Sequence, residues 1–175
     1  MGAPRSTRTR PLPQLVDDAL ATALEHVLVA ALEPPVRVED LHRLSGGASR
    51  ETFAFDAVGP DGSTRPLILQ RERPGGAINT GGGTRTEAGL LRAAAAQGVP
   101  VPAVVVTGPA EVPRPGEAEG EPLAAAYLVV ERLEGETIPR RILRDERYAG
   151  ARGELAAQCG RALAGIHAIP VDESL

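Results

Sequence analysis

The stretch Leu44-Ser45-Gly46-Gly47-Ala48-Ser49-Arg50-Glu51-Thr52-Phe53-Ala54-Phe55 decides how the rest of the chain is read. It reads as the end of one strand, a glycine turn and the start of a second strand. Two adjacent glycines remove every Cβ at the turn, so the backbone can approach another group closely and adopt positive φ. Ser45 and Ser49 flank the turn, and Arg50 places a fixed positive charge at its exit. A turn of this kind suits a phosphate, which takes backbone N–H donors at close range and a cation beside them. The commonplace alternative is a plain hairpin turn. The neighbouring sequence has to decide between the two.

Upstream, Leu15, Ala19, Leu20, Ala23, Leu24, Val27, Leu28 and Ala31 recur at helical spacing, predicting an amphipathic helix over 13–32. Pro34-Pro35 stops it. Residues 1–12, rich in Arg, Pro and Thr, are expected to be a disordered tail. After the prolines the period shortens to that of strands, predicting 38–44 and 52–58 around the glycine turn. Gly59-Pro60-Asp61-Gly62-Ser63 is a strong turn signal, followed by a third strand over 66–72. The connections are short enough for an antiparallel meander.

Downstream, the glycine-rich residues 74–83 read as a flexible loop and 84–97 as a helix. Gly98-Val99-Pro100 closes that helix. A fourth strand is expected over 101–107, an exposed Pro/Glu/Gly-rich loop over 108–122, and a buried fifth strand over 124–133. Beyond Gly135 the pattern turns helical: a short Arg-rich helix within 137–148, then 151–168 with Leu155, Cys159, Ala162, Leu163 and Ile166 on one face. That face is apolar enough to need a partner. Cys159 reads as a small core residue, and no internal repeat is found.

Composition bounds what these elements can do. Of 175 residues, 42% are hydrophobic but only 2% aromatic, so the core must come from Leu, Val, Ile and Ala. All 19 basic residues are arginine, so lysine chemistry is excluded within the chain. A net charge of −4 argues against a general nucleic-acid binder. One cysteine cannot form an internal disulfide and fits a reducing compartment. No apolar run is long enough for a bilayer, and no apolar segment follows the basic start. A cytoplasmic protein with no membrane partner is the expectation.

The order helix, three strands, helix, two strands, helices resembles the small lobe of a protein-kinase-like fold, an α+β architecture with a five-stranded antiparallel sheet. In detail the chain is similar to the aminoglycoside phosphotransferase and choline kinase family, nearest the phosphotransferase-like proteins related to domains fused to acyl-CoA dehydrogenases. The matching stretches are Leu44 to Phe53, Leu67-Ile68-Leu69-Gln70-Arg71-Glu72-Arg73-Pro74-Gly75, Thr86-Glu87-Ala88-Gly89-Leu90-Leu91, Gly98-Val99-Pro100-Val101-Pro102, Leu128-Val129-Val130-Glu131-Arg132-Leu133-Glu134-Gly135, and Leu163-Ala164-Gly165-Ile166-His167. Six such stretches in order, over about 15–170, carry the resemblance.

That resemblance implies ATP bound by residues 13–134, with 135–175 forming the hinge exit and the first helices of a second lobe. Ser45, Gly46, Gly47, Ala48, Ser49 and Arg50 would cover the nucleotide phosphates. The third-strand position that holds lysine in kinases falls at Gln70, after Ile68. Arg71 is the nearest cation, but an extended strand points it to the opposite face. A bulge could re-aim it, or Arg50 or Arg73 could supply the charge instead. Glu87 matches the helix glutamate that pairs with that lysine, and reads equally as the capping-box partner of Thr84. Val130 would sit behind the adenine, with the Glu131 carbonyl and Leu133 N–H meeting its edge. His167 reads as structural.

Phosphoryl transfer also needs carboxylates for the hydroxyl and for magnesium. The family's His-Gly-Asp-x-x-x-x-Asn loop and later Asp-rich turn do not occur in these 175 residues. The expectation is therefore a nucleotide lobe truncated before the catalytic loop, inactive alone. Magnesium would bind only with the missing lobe, which would also bring the small-molecule substrate. A non-catalytic nucleotide-binding or interaction module is the alternative. Self-association through 155–166 is a further expectation.

Overall fold

A computed structural model describes residues 18–44, 50–72, 83–109 and 121–170. The expected phosphate-covering turn, Ser45, Gly46, Gly47, Ala48 and Ser49, lies outside the described residues. So do Arg73, the tail over 1–12, and nearly all of the two loops expected over 74–83 and 108–122.

The elements run α1 (Asp18–Leu28), β1 (Arg37–Arg43), β2 (Arg50–Val58), β3 (Thr64–Glu72), α2 (Gly83–Ala96), β4 (Val104–Gly108), β5 (Tyr127–Glu131), α3 (Pro139–Arg144) and α4 (Ala149–His167), with a single 3-10 turn, Glu146–Tyr148, before α4. Five strands form one antiparallel sheet in the order β1-β2-β3-β5-β4. The first three make the expected meander. The fourth then goes to the edge and the fifth enters beside β3. This is the expected α+β architecture, that of a kinase-like small lobe with a leading helix.

The β2–β3 hairpin is fixed locally. The Asp61 carboxylate accepts the Ser63 N–H at 2.9 Å, and Gly62 takes φ 79°, which glycine adopts without strain. The Ser63 hydrogen bonds also hold the Asp61 carboxyl below its ordinary value. From this turn the pairing runs unbroken from Val58↔Thr64 to Arg50↔Glu72.

Because strand side chains alternate, that register sorts residues between two covered faces. Phe53, Phe55 and Ala57 of β2, Leu67 and Leu69 of β3, and Tyr127 and Val129 of β5 pack with Leu20, Leu24 and Leu28 of α1. Each α1 leucine is essentially fully buried, contributing about 2 kcal/mol from area removed from water. The Glu25 carboxylate accepts the Val38 N–H at 2.9 Å and ties α1 to the edge strand. On the other face, Ile68, Leu128 and Val130 pack with Ala88 and Leu91 of α2, and with Val104.

Helix α2 ends as its sequence dictates. Gly98 takes φ 71°, and Val99 N–H and Gly98 N–H donate to the Ala94 and Ala95 carbonyls at 3.1 and 2.9 Å. This is a Schellman closure. Helix α4 approaches this turn so closely that a Cβ on Gly165 would lie 2.7 Å from Val99 Cγ2. At the sheet edge, a Cβ on Gly108 would lie 2.6 Å from the Tyr127 hydroxyl oxygen, so the ring needs glycine there.

The expected apolar face of α4 is not covered. Leu155, Leu163 and Ile166 are 45%, 53% and 48% exposed. Cys159 is exposed too, correcting its reading as a core residue. Helical spacing identified a face, but a face becomes core only when something packs on it. No helix among the described residues is long and apolar enough to cross a membrane.

Candidate functional site

The face of the sheet under α2 is ordered by register into rows. Ala54 stands opposite Ile68, Ile68 opposite Val130, and Val130 opposite Val104, giving a row of short apolar side chains across four strands. The next row is Thr52, Gln70, Leu128 and Thr107. Beyond it Arg50 stands opposite Glu72. The face is therefore apolar toward the end of β5 and charged at the start of β2. Four strand residues, about 13 Å, separate Arg50 from Ala54.

The charged end is held by side-chain contacts. Arg50 Nη1 donates to the Gln70 side-chain carbonyl at 3.3 Å and forms a close ion pair with the Glu87 carboxylate. The Arg50 side chain is 20% exposed, so this pair is screened less than a surface one. Glu72 reaches the start of α2, its Oε1 3.2 Å from where a Gly83 Cβ would stand. Among the described residues, two buried side-chain polar atoms have no hydrogen-bond partner: Arg50 Nε and Thr84 Oγ1. Thr84, 1% exposed, precedes Glu87 by one turn and shares its side of α2.

The two sequence readings of Glu87 are separated here. The helix begins at Gly83, so Thr84 lies inside it, and the Glu87 carboxylate is bound to Arg50 across the sheet. Arg71 is placed elsewhere. No bulge interrupts β3, so Arg71 stays on the α1 side, where it bonds Glu51 at 2.9 Å and the Pro122 carbonyl at 2.6 Å and covers the Phe53 ring. Of the two described cations considered from sequence, Arg50 and Arg71, it is Arg50 that meets both Gln70 and Glu87.

At the apolar end, Val130 leads into Glu131, Arg132 and Leu133. Glu131 N–H donates to the Ala103 carbonyl and Arg132 N–H to the Pro66 carbonyl, each at 3.0 Å. Leu133 leaves the sheet with its side chain 64% exposed. Among the described residues its N–H makes no backbone hydrogen bond. Arg132 also reaches the Asp56 carboxylate at 3.0 Å across Pro66, on the α2 side of the sheet. Arg65 holds the Glu131 carboxylate at 2.8 Å.

Sequence reading did not single out Thr52, Ala54, Asp56, Glu72 or Arg132 for this face. The signal was available: a hairpin closed by Val58 and Thr64 pairs Thr52 with Gln70, and every second residue from Arg50 then shares the face. No cluster of three or more His, Cys, Asp or Glu able to hold a metal occurs among the described residues.

A family model described as the phosphotransferase enzyme family matches residues 40–174, from β1 through α4. The chain belongs to that family, and the expected aminoglycoside-phosphotransferase-like membership holds. No curated protein matches the chain.

Proposed function

From membership of the phosphotransferase enzyme family as the premise, we propose that the α2 face of the sheet binds ATP for phosphoryl transfer to a small-molecule hydroxyl. The observation that carries this reading is the polarity of the face. A nucleotide needs an apolar slot for its base and cations for its phosphates, about the distance apart that separates Ala54 and Val130 from Arg50. Ile68 and Val130 supply the slot, and the Glu131 carbonyl and Leu133 N–H the edge of the base. Arg50 and Glu87, with Gln70, stand at the phosphate end, next in sequence to residues 45–49. Glu87 in that position corresponds to the helix carboxylate of the strand–helix ion pair that active protein kinases require.

The reading extends to nucleotide binding by this chain. The acid–base and magnesium steps require a carboxylate-bearing loop that these 175 residues do not contain. Magnesium and the acceptor hydroxyl therefore belong to the reading only together with such a loop. The second reading, a nucleotide-binding module that does not catalyse, is favoured by the absence of lysine at the third-strand position, Gln70. Both predict the same first result: the folded chain binds ATP, seen as heat in calorimetry and as a rise in melting temperature. A folded chain that shows neither would sink them together.

A further inference from the structure

Resting on the nucleotide-binding reading, we propose that the phosphate-holding cation of this fold has moved from the third strand to the second: Arg50 of β2 occupies the place of a β3 cation, with Gln70 as its brace. In protein kinases a β3 lysine pairs with a helix carboxylate. Here that carboxylate, Glu87, is paired to Arg50. The β3 residue on the same face, Gln70, is neutral and accepts from the same Arg50 nitrogen at 3.3 Å. Register explains how one strand can stand in for the other. Thr52 is directly opposite Gln70, so Arg50 is its diagonal neighbour on one face, within reach of a long side chain.

The exchange changes what the cation can do. A lysine ammonium is a point charge, whereas a guanidinium is a planar fork that can bind two oxygens side by side. Nη1 of Arg50 is engaged by Gln70 and Glu87, which fixes the plane of the group. The edge formed by Nε–H and Nη2 remains. Nε is buried without a hydrogen-bond partner among the described residues, so its N–H carries the cost of desolvation with nothing returned. A phosphate oxygen on that edge would satisfy it, in the geometry in which arginine binds phosphates most strongly. Glu87 and Gln70 then act as positioning residues, and Arg50 as the group that meets the nucleotide.

The test separates phosphate from base. Affinities for Mg–ATP and for adenosine are measured by calorimetry on the wild-type chain, R50A, the double variant R50A/Q70K and R71A. R50A should weaken ATP about tenfold to a hundredfold, the worth of one charged hydrogen-bonding partner, and leave adenosine unchanged. R50A/Q70K, which returns the cation to β3 within reach of Glu87, should recover most of the ATP affinity. R71A should bind both as the wild type does, since Arg71 is on the other face. An R50A chain that binds ATP normally, or loses adenosine equally, overturns the proposal, as does a double variant that recovers nothing. A wild-type chain that binds neither ligand refutes the nucleotide-binding reading itself, which is a different result.

Discussion

Thr84→Val should make this protein more stable, although it removes a polar group from a helix. The Thr84 side chain is 1% exposed, and its hydroxyl has no hydrogen-bond partner among the described residues. Leaving a buried hydroxyl unsatisfied costs about 1–3 kcal/mol. Valine keeps the branched shape and replaces that hydroxyl with a methyl group, whose burial adds a favourable contribution of about 0.8 kcal/mol. Intrinsic helix propensity barely differs between the two residues, so local helix formation does not offset the gain. A net stabilisation of about 2–4 kcal/mol corresponds to a rise in melting temperature of about 4–16 °C for a chain of this size. Differential scanning calorimetry and urea titration of both proteins, without ligand, measure it. A valine variant that melts at or below the wild-type temperature would refute the reasoning, because the hydroxyl would then be engaged in the folded protein.

Four further substitutions have outcomes set by the packing and contacts around them. Gly160→Ala should stabilise α4 by about 1 kcal/mol from helix propensity, since nothing lies within 4 Å of the added Cβ. Gly165→Ala should destabilise, since the same atom meets Val99 at 2.7 Å; urea midpoints that move in the same direction for both would contradict the close approach. Burial raises the pKa of the Tyr127 phenol, so its contribution is complete below about pH 10 and is lost as pH climbs through the raised value. The stability difference from Tyr127→Phe should accordingly change only on the alkaline side, and a difference that stays constant there refutes the assignment. Glu136 accepts the Ile138 N–H at 2.9 Å and bonds Arg141 at 3.2 Å, and these contacts lower its pKa. Its contribution is present above about pH 4.3 and disappears as pH falls through the lowered value. Stability of the wild type against Glu136→Gln should converge under acid, and a gap that persists unchanged there argues against it.

Much of the fold was legible because the sequence changes period where the chain changes structure. The prolines after α1, the turn over 59–63 and the Gly98 closure each carry a local chemical reason for stopping. The exclusion of Arg71 followed from alternation along a single strand. The meeting of Arg50 with Gln70 and Glu87 did not, because it depends on pairing between strands and on which way α2 faces. Thr84 misled for a related reason: the Thr-x-x-Glu spacing of a capping box is also one helical turn, and the helix starts one residue earlier. Cys159 shows the same limit, since periodicity gives a side and not a neighbour.

The two-sided sheet also constrains how such a chain can change by descent. Arg71 is one residue from Gln70, yet no point substitution lets it serve the α2 face. Bringing it there would take an insertion or deletion that turns Leu67 and Leu69 out of the core with it. Arg50, farther away in sequence, already reaches Gln70 across the strand pair. Substitution can therefore place a positive charge on this face from either strand, at position 50 or 70, whereas the Arg71 side chain itself is kept off it by the hydrophobic core.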